Sequence, residues 1–255
     1  MNYKFLFLVG SAINHFKEED LSEFNSQQRF EQTLETIQSI KDKVPDAYIL
    51  VYEASETDIK EEYRDFLIKN SDLYLEFGND PYIYNLYQNA HADPNKFTYI
   101  KSMLECRCLE LTLNYMATHN VFNDATRVFK ISGRYKLNDY FDINDYKSKF
   151  LMNKYVMKYY DYEERFENID NLYSTLYGCK GSIVTGLWSF DRFLFNDIFL
   201  VLQRSFEYME RAIQLTAGID IEHSFYHFIK RDDILNVPVL GFDLIKGMDG
   251  DRYSL

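Results

Sequence analysis

Four apolar runs in this 255-residue chain each end in small, polar or charged residues. The four endings are Gly10-Ser11, Glu53-Ala54-Ser55, Gly78-Asn79 and Ser132-Gly133-Arg134. If the runs are parallel strands, their carboxyl ends meet at one edge of a sheet, where open α/β sheets bind ligands. Glycine lets a backbone come close to a ligand, and polar side chains supply hydrogen bonds. The pattern predicts a nucleotide-binding rim, while the alternative is that small residues only turn the chain after each strand.

The elements that would position this rim alternate along the first half of the chain. Continuous apolar runs predict strands over 4–11, 47–55, 73–79 and 127–132. Apolar residues at helical spacing predict helices over 25–45, 56–72 and 94–120. Fully apolar strands separated by helices are typical of parallel βαβ units with helices on both sheet faces. We therefore expect an α/β fold with a Rossmann-like, mostly parallel sheet flanked by helices.

The second half has a different pattern. Residues 148–162 and 171–190 mix aromatic with polar side chains, as antiparallel or edge strands do. Residues 191–218 and 220–233 are predicted to be helices. Because no linker separates the halves, we expect a single domain over 1–255 with a mixed C-terminal half.

Composition limits the function classes. The net charge of −12 disfavours binding to nucleic acid or to an anionic membrane, since both need basic surface. The apolar run near the N-terminus, residues 5–9, is too short for a signal peptide or a membrane span. Three cysteines, Cys106, Cys108 and Cys179, have no framework spacing and are expected to be structural thiols in a reducing compartment. We therefore expect a soluble, cytoplasmic protein; its oligomeric state is left open.

Several common catalytic motifs are absent from the sequence. No G-x-G-x-x-G follows the first strand and no G-x-x-x-x-G-K-[ST] occurs, which disfavours dinucleotide and P-loop sites. There is no H-E-x-x-H, no zinc-type Cys/His spacing and no G-x-S-x-G elbow. These absences disfavour zinc enzymes and α/β-hydrolases.

Two segments carry a family resemblance. "QRFEQTLETIQSIKDKVPDAYILVYEAS" (28–55) followed by "RVFKISGRYKLNDYF" (127–141) resembles viral and bacterial glycosyltransferases of the GT-A, nucleotide-diphospho-sugar type. The resemblance implies that residues 1–145 bind a UDP- or GDP-sugar donor and that residues 146–255 bind a carbohydrate or other hydroxyl acceptor. It implies an enzyme that transfers a hexosyl or pentosyl group in glycan biosynthesis, acting in the host cytoplasm if the protein is viral.

The sequence departs from the family at the metal-binding motif. GT-A enzymes usually carry Asp-x-Asp after the fourth strand, where its carboxylates hold Mn²⁺ or Mg²⁺ on the diphosphate, whereas this chain has Ser132-Gly133-Arg134. In one account, Lys130 and Arg134 replace the metal as the positive charge that meets the diphosphate. In the other, a metal binds through a residue elsewhere, such as Asp249. We favour the first account; its structural alternative is that Arg134 forms an ion pair with an acidic helix.

The resemblance also implies roles for individual residues. The predicted donor-binding residues are Gly10, Ser11, Arg29, Glu53, Ser55, Lys130, Ser132, Gly133 and Arg134. Glu53 or Ser55 would accept a hydrogen bond from the base or ribose, and Arg29 would approach the phosphates. Arg29 could equally be an ordinary solvent-facing helix residue.

Glu222 is the predicted general base, and His223, the next residue in the sequence, is the second predicted catalytic residue. The alternative for Glu222 is an acidic residue that only favours a helix start. Trp188 and Tyr177 are the predicted acceptor contacts, although aromatic residues at strand spacing are more often part of a core. Two other functions stay open: a non-catalytic nucleotide- or sugar-binding module, and a nucleotidyltransferase on a similar sheet.

Overall fold

The computed structural model describes residues 3–14, 24–93, 96–161, 180–214, 219–245 and 252–255. Its strands are β1 (Phe5–Ser11), β2 (Tyr48–Glu53), β3 (Leu73–Glu76), β4 (Arg127–Ser132), β5 (Lys136–Leu137), β6 (Tyr155–Met157), β7 (Tyr159–Asp161), β8 (Gly181–Ile183), β9 (Leu187–Asp191), β10 (Ile234–Asn236), β11 (Phe242–Ile245) and β12 (Arg252–Ser254). Its helices are α1 (Ser26–Lys43), α2 (Glu61–Asn70), α3 (Pro81–Ala92), α4 (Phe97–His119), α5 (Phe195–Gln214) and α6 (Ile221–Phe228).

Seven strands form the central sheet, in the order β3-β2-β1-β4-β9-β6-β10. The neighbouring pairs on the β3 side of β4 are parallel, and β9 runs antiparallel to both β4 and β6. Two small sheets, β12-β11-β5 and β7-β8, are formed entirely or mostly by the second half. The predicted α/β fold, a mostly parallel sheet with a mixed C-terminal half, is confirmed.

The central strands are apolar because both sheet faces are covered. Leu6 and Leu8 of β1 belong to a core cluster with α3, α4, α5 and α6. Phe7 and Val9, which alternate with them, belong to a second cluster with α1 and α2. Because successive side chains of a strand point to opposite faces, one continuous apolar run supplies both cores.

Helix boundaries differ from the predictions in several places, and α2 begins at Glu61 rather than at 56. Helix α3 was not predicted, although Asp80 accepts hydrogen bonds from two backbone N–H groups at its start and Pro81 occupies its first position. Helix α5 begins at Phe195 rather than at 191, because β9 continues through Asp191. Helix α6 ends at Phe228, since the chain then passes through a short 3₁₀ turn into β10.

The direction of strand addition reverses at β1. Strands β2 and β3 add on one side of β1, and β4 adds on the other. Gly10 of β1 is in register with Tyr52 of β2 and with Ser132 of β4. At such a reversal the connections leave in opposite directions, so a crevice opens at the carboxyl ends of the strands.

None of the described helices combines the length and apolar composition needed to cross a lipid bilayer.

Candidate functional site

A cleft lies at the carboxyl ends of β1, β2 and β4, beneath helix α4. It consists of two adjoining cavities, one reaching α1 and β2 and the other reaching α6 and the β8–β9 connection. Both cavities are lined by Lys101, Glu105, Lys130, Ser132 and Arg134. The predicted rim at the ends of β1 and β4 therefore borders the cleft.

The floor of the first cavity is built by the close approach of β1 and β4. The backbone N–H of Gly133 donates to the Gly10 carbonyl oxygen over 2.7 Å. A Cβ atom at Gly133 would lie 3.0 Å from that oxygen and 3.0 Å from Thr33 Oγ1, which is tighter than ordinary packing. Gly133 therefore lets the two strand ends meet, and its own N–H group is used within the protein.

Cationic side chains form one wall. Arg134 Nη1 is buried and has no hydrogen-bond partner among the described residues. Lys101 of α4 lines the same cavity and remains exposed to solvent; partial desolvation, followed by the charge of Arg134, lowers its pKa to about 8. Arg29 of α1 is buried, and its Nη1 donates to the Ala12 carbonyl over 3.1 Å. The three cations line one cavity, which favours a ligand with negative charge.

Lys130 has a different environment from the other cations. Its side chain is 3% exposed and forms an ion pair with Glu105. Its Nζ also donates to the Thr185 carbonyl over 3.0 Å. The ion pair with a helix that was considered for Arg134 is formed by Lys130 instead. Because Glu105 offsets its charge, Lys130 contributes less positive potential to the cleft than Arg134 does.

The second cavity ends at Glu222 in the first turn of α6. Its Oε1 accepts a hydrogen bond from Thr185 Oγ1 over 3.3 Å. Burial, reinforced by the charges of Asp220 and Glu105, raises the pKa of Glu222 to about 7. A carboxyl group with such a pKa can take up and release a proton near neutral pH.

His223 is tied to the residue that caps α6. Asp220 accepts from the His223 backbone N–H over 3.0 Å, and His223 Nδ1 lies 2.6 Å from Asp220 Oδ1. Burial alone would lower the pKa of His223, but the hydrogen bond and charge of Asp220 outweigh it and raise that pKa. His223 therefore orders the start of α6 beside Glu222.

Glu53 and Ser55 hold a loop and do not line the cleft. Glu53 Oε1 accepts from the backbone N–H groups of Ile13 and Ser55 over 3.0 Å, and from Ser55 Oγ over 2.6 Å. Ser55 Oγ accepts from the Asn14 backbone N–H over 2.7 Å. These hydrogen bonds join the segments that follow β1 and β2. Glu53 and Ser55 therefore hold the backbone of the rim in place without contacting the cleft.

The predicted acceptor contact of Trp188 is not what the structure shows. Trp188 is 1% exposed and packs edge-on against Phe225 in the core between the sheet and α6. Its strand, β9, is covered on both faces, so a ligand in the cleft cannot reach the ring. Tyr177, the other predicted acceptor contact, lies outside the described residues, as do Asp249 and Cys179.

Cys106 and Cys108 are buried free thiols.

The cleft residues that were not predicted from sequence include Tyr52, Lys101, Glu105, Thr185 and Asp220. Lys101 and Glu105 are four residues apart in a predicted helix, which places them on one face, and that spacing was an available signal. Thr185 and Asp220 lie in connections whose positions depend on tertiary packing.

The side chains at the end of β4 do not form a suitable set of ligands for a divalent cation. Mn²⁺ and Mg²⁺ favour several oxygen ligands, usually including carboxylates, whereas this position presents Ser132 together with the cations Lys130 and Arg134. The carboxylate of Glu105, which lines both cavities, is paired with Lys130. Among the described residues, no group of three or more His, Cys, Asp or Glu could hold a metal ion. We therefore derive no step through a metal.

Comparisons with known proteins give no family assignment. No family model matches the chain, and no curated protein matches it. Among solved structures, the chain is similar to the galactosyltransferase LgtC, crystallised in complex with donor and acceptor sugar analogues. The TM-score is 0.48 at 10% identity, over 92% of this chain and 73% of that chain. At that level the similarity assigns neither an activity nor a residue role to this chain.

Proposed function

We propose that the chain is a glycosyltransferase that moves a hexosyl or pentosyl group from a UDP- or GDP-sugar to a hydroxyl acceptor. The observation that carries the proposal is one cleft with Lys101 and Arg134 on its wall and Glu222 at its far end. Such a cleft joins a site for a leaving diphosphate to a site for deprotonating an acceptor. The sequence resemblance assigns donor and acceptor to the same two halves of the chain.

In the proposed donor complex, the diphosphate lies at the crevice between β1 and β4. Arg134 offers a planar set of donors, one of which is buried without a partner among the described residues. Lys101 and Arg29 line the same cavity. Positive charge that is already in position stabilises the negative charge that develops on a leaving diphosphate. These cations take the place that carboxylates and a metal hold in the usual GT-A pattern.

In the proposed transfer step, the acceptor hydroxyl oxygen attacks the anomeric carbon while the bond from that carbon to the diphosphate breaks. Glu222 accepts the hydroxyl proton, and its pKa of about 7 suits that role. Thr185 Oγ1, which donates to Glu222 Oε1, orients the carboxylate. The products are the glycosylated acceptor, the nucleoside diphosphate and a proton held on Glu222.

The test is a release assay with a panel of UDP- and GDP-sugars, with EDTA and separately with Mn²⁺. We expect nucleoside diphosphate release and sugar transfer in EDTA for at least one donor. Glu222→Gln should reduce turnover by roughly 100-fold or more while donor binding is kept. Glu61→Gln is the matched control, because Glu61 is an exposed acidic residue in the first turn of α2.

The alternatives give different results in the same assay. Donor binding without turnover by the wild-type protein would favour a non-catalytic binding module. Pyrophosphate release from a nucleoside triphosphate would favour a nucleotidyltransferase. No binding of any UDP- or GDP-sugar, with or without Mn²⁺, would contradict the proposal.

A further inference from the structure

The hydroxyl group of Tyr52 is buried within the first cavity of the cleft. Tyr52 is 2% exposed, lines that cavity and has no hydrogen-bond partner for its Oη among the described residues. The hydroxyl lies against Gly10, where a Cβ atom would come within 2.5 Å of it. Gly10 is in register with both Tyr52 and Ser132, so the missing side chain leaves a gap in that row of the sheet. The phenol therefore reaches the crevice between β1 and β4.

An unpartnered hydroxyl in a folded core is costly, because burial removes its bonds to water. Tyr52 belongs to the same buried core cluster as Leu50 and Leu104, and its hydroxyl oxygen is buried. Burial, and to a smaller extent the charge of Glu105, raises the pKa of Tyr52 well above its ordinary value. The phenol keeps its proton near neutral pH and can donate it in a hydrogen bond.

A second unpartnered donor lines the same cavity. Arg134 Nη1 is buried without a partner among the described residues, and Arg134 follows β4, on the other side of β1 from Tyr52. Lys101 and Arg29 add positive charge. Two unpartnered hydrogen-bond donors in a positive potential favour one kind of ligand group, an acceptor oxygen that carries negative charge.

We propose that Tyr52 Oη donates a hydrogen bond to a phosphate oxygen of the ligand, opposite Arg134, and so helps to select a diphosphate. This inference rests on the proposed function in that the phosphate would belong to the nucleotide-sugar donor. Tyr52 would add a neutral hydrogen-bond donor from β2 to a site whose other proposed ligand contacts are cations. The phenol keeps its proton across the physiological pH range, whereas Lys101 loses its positive charge as the pH rises through about 8.

The test uses inorganic pyrophosphate as the probe, with affinity measured by titration calorimetry and stability by thermal unfolding. Tyr52→Phe removes only the hydroxyl, so we expect pyrophosphate to bind roughly 10- to 100-fold more weakly. The ligand-free variant should unfold at the same temperature as the wild type or a higher one, since an unpartnered hydroxyl has been removed.

Tyr155→Phe is the matched control. Tyr155 is also fully buried, but its hydroxyl donates to Asp197 Oδ2 over 2.7 Å and it lines neither cavity of the cleft. We expect this variant to unfold at a lower temperature and to bind pyrophosphate as the wild type does.

Three results would overturn the inference: no pyrophosphate binding by the wild type, unchanged affinity in Tyr52→Phe, or an equal loss in Tyr155→Phe. Unchanged affinity would mean that the hydroxyl serves a buried water instead. Failure of the proposed function gives a different pattern, in which pyrophosphate binding depends on Tyr52 but no nucleotide sugar is turned over.

Discussion

Lys130 of β4 and Glu105 of α4 form an ion pair that borders both cavities of the cleft. The two partners differ in solvent contact, with side chains 3% and 29% exposed respectively. The pair anchors α4 over the carboxyl end of the sheet, and α4 also carries Lys101. The position of the cationic wall therefore depends on a contact between a strand residue and a helix residue that are 25 positions apart in sequence.

This asymmetry gives the first prediction. Glu105→Gln leaves a buried cation without its counter-charge and should lower the free energy of unfolding by about 3 kcal/mol. Lys130→Met leaves a carboxylate that still contacts water and lies near Lys101, so the loss should be smaller. Denaturant unfolding of both variants measures the difference. Equal losses, or a larger loss for Lys130→Met, would contradict the assigned role of burial.

The second prediction concerns the pH dependence of catalysis. The base form of Glu222 is required for the proposed step, and its pKa is about 7. The value of kcat/KM should therefore rise about tenfold per pH unit below about 7 and fall again above about 8, where Lys101 loses its charge. A pH profile of the transfer reaction measures this, and a flat profile between pH 5 and 7 would exclude Glu222 as the base.

The third prediction is the effect of the same group on stability. Because the pKa of Glu222 is raised from 4.5 to about 7 in the folded protein, the folded state binds more protons than the unfolded state between those values. The contribution of Glu222 to stability should be complete below about pH 4.5 and be lost as the pH rises toward 7. Unfolding measurements across this range should show a shallower decline in Glu222→Gln; an unchanged slope would contradict the shift.

The fourth prediction concerns Lys101. Its pKa of about 8 means that it loses its charge just above neutral pH, so nucleoside diphosphate affinity should fall as the pH rises through 8. Lys101→Met should bind UDP and GDP roughly 10-fold more weakly at pH 6 and lose that pH dependence. Lys69→Met, at an exposed site on α2, is the control and should behave as the wild type. Calorimetric titrations at pH 6 and 9 compare the three proteins.

The fifth prediction concerns Trp188. As a core residue, it should cost about 3–5 kcal/mol of unfolding free energy when replaced by Ala. Trp188→Phe should cost less and leave the KM for the acceptor unchanged, since the ring does not border the cleft. A raised acceptor KM in Trp188→Phe, with normal stability, would restore the acceptor contact expected from sequence.

The strand ends of the first half could be predicted because burial on both faces requires continuous apolar runs. Gly10, Ser132 and Arg134 were identified in this way, and all three border the cleft. Glu222 was identified from the resemblance and lies at the far end of the cleft.

The remaining features depend on packing that the sequence pattern does not encode. The charged pairing of Lys130, the loop-holding bonds of Glu53 and the burial of Trp188 are set by which helix covers which face. The sequence pattern of a strand does not show whether a given face of the strand contacts a ligand or a helix. The missed residue Lys101 illustrates the converse, because α4 brings it to the cleft from a helix that looks ordinary in sequence.

The most direct test of the central claim is a crystal structure of the wild-type protein grown with UDP or GDP in the presence of EDTA. We predict diphosphate oxygens within hydrogen-bond distance of Arg134 Nη1 and the Lys101 ammonium group, in the crevice between β1 and β4. A diphosphate bound at another place, or bound at the crevice only through a divalent cation when Mn²⁺ is supplied, would contradict the account.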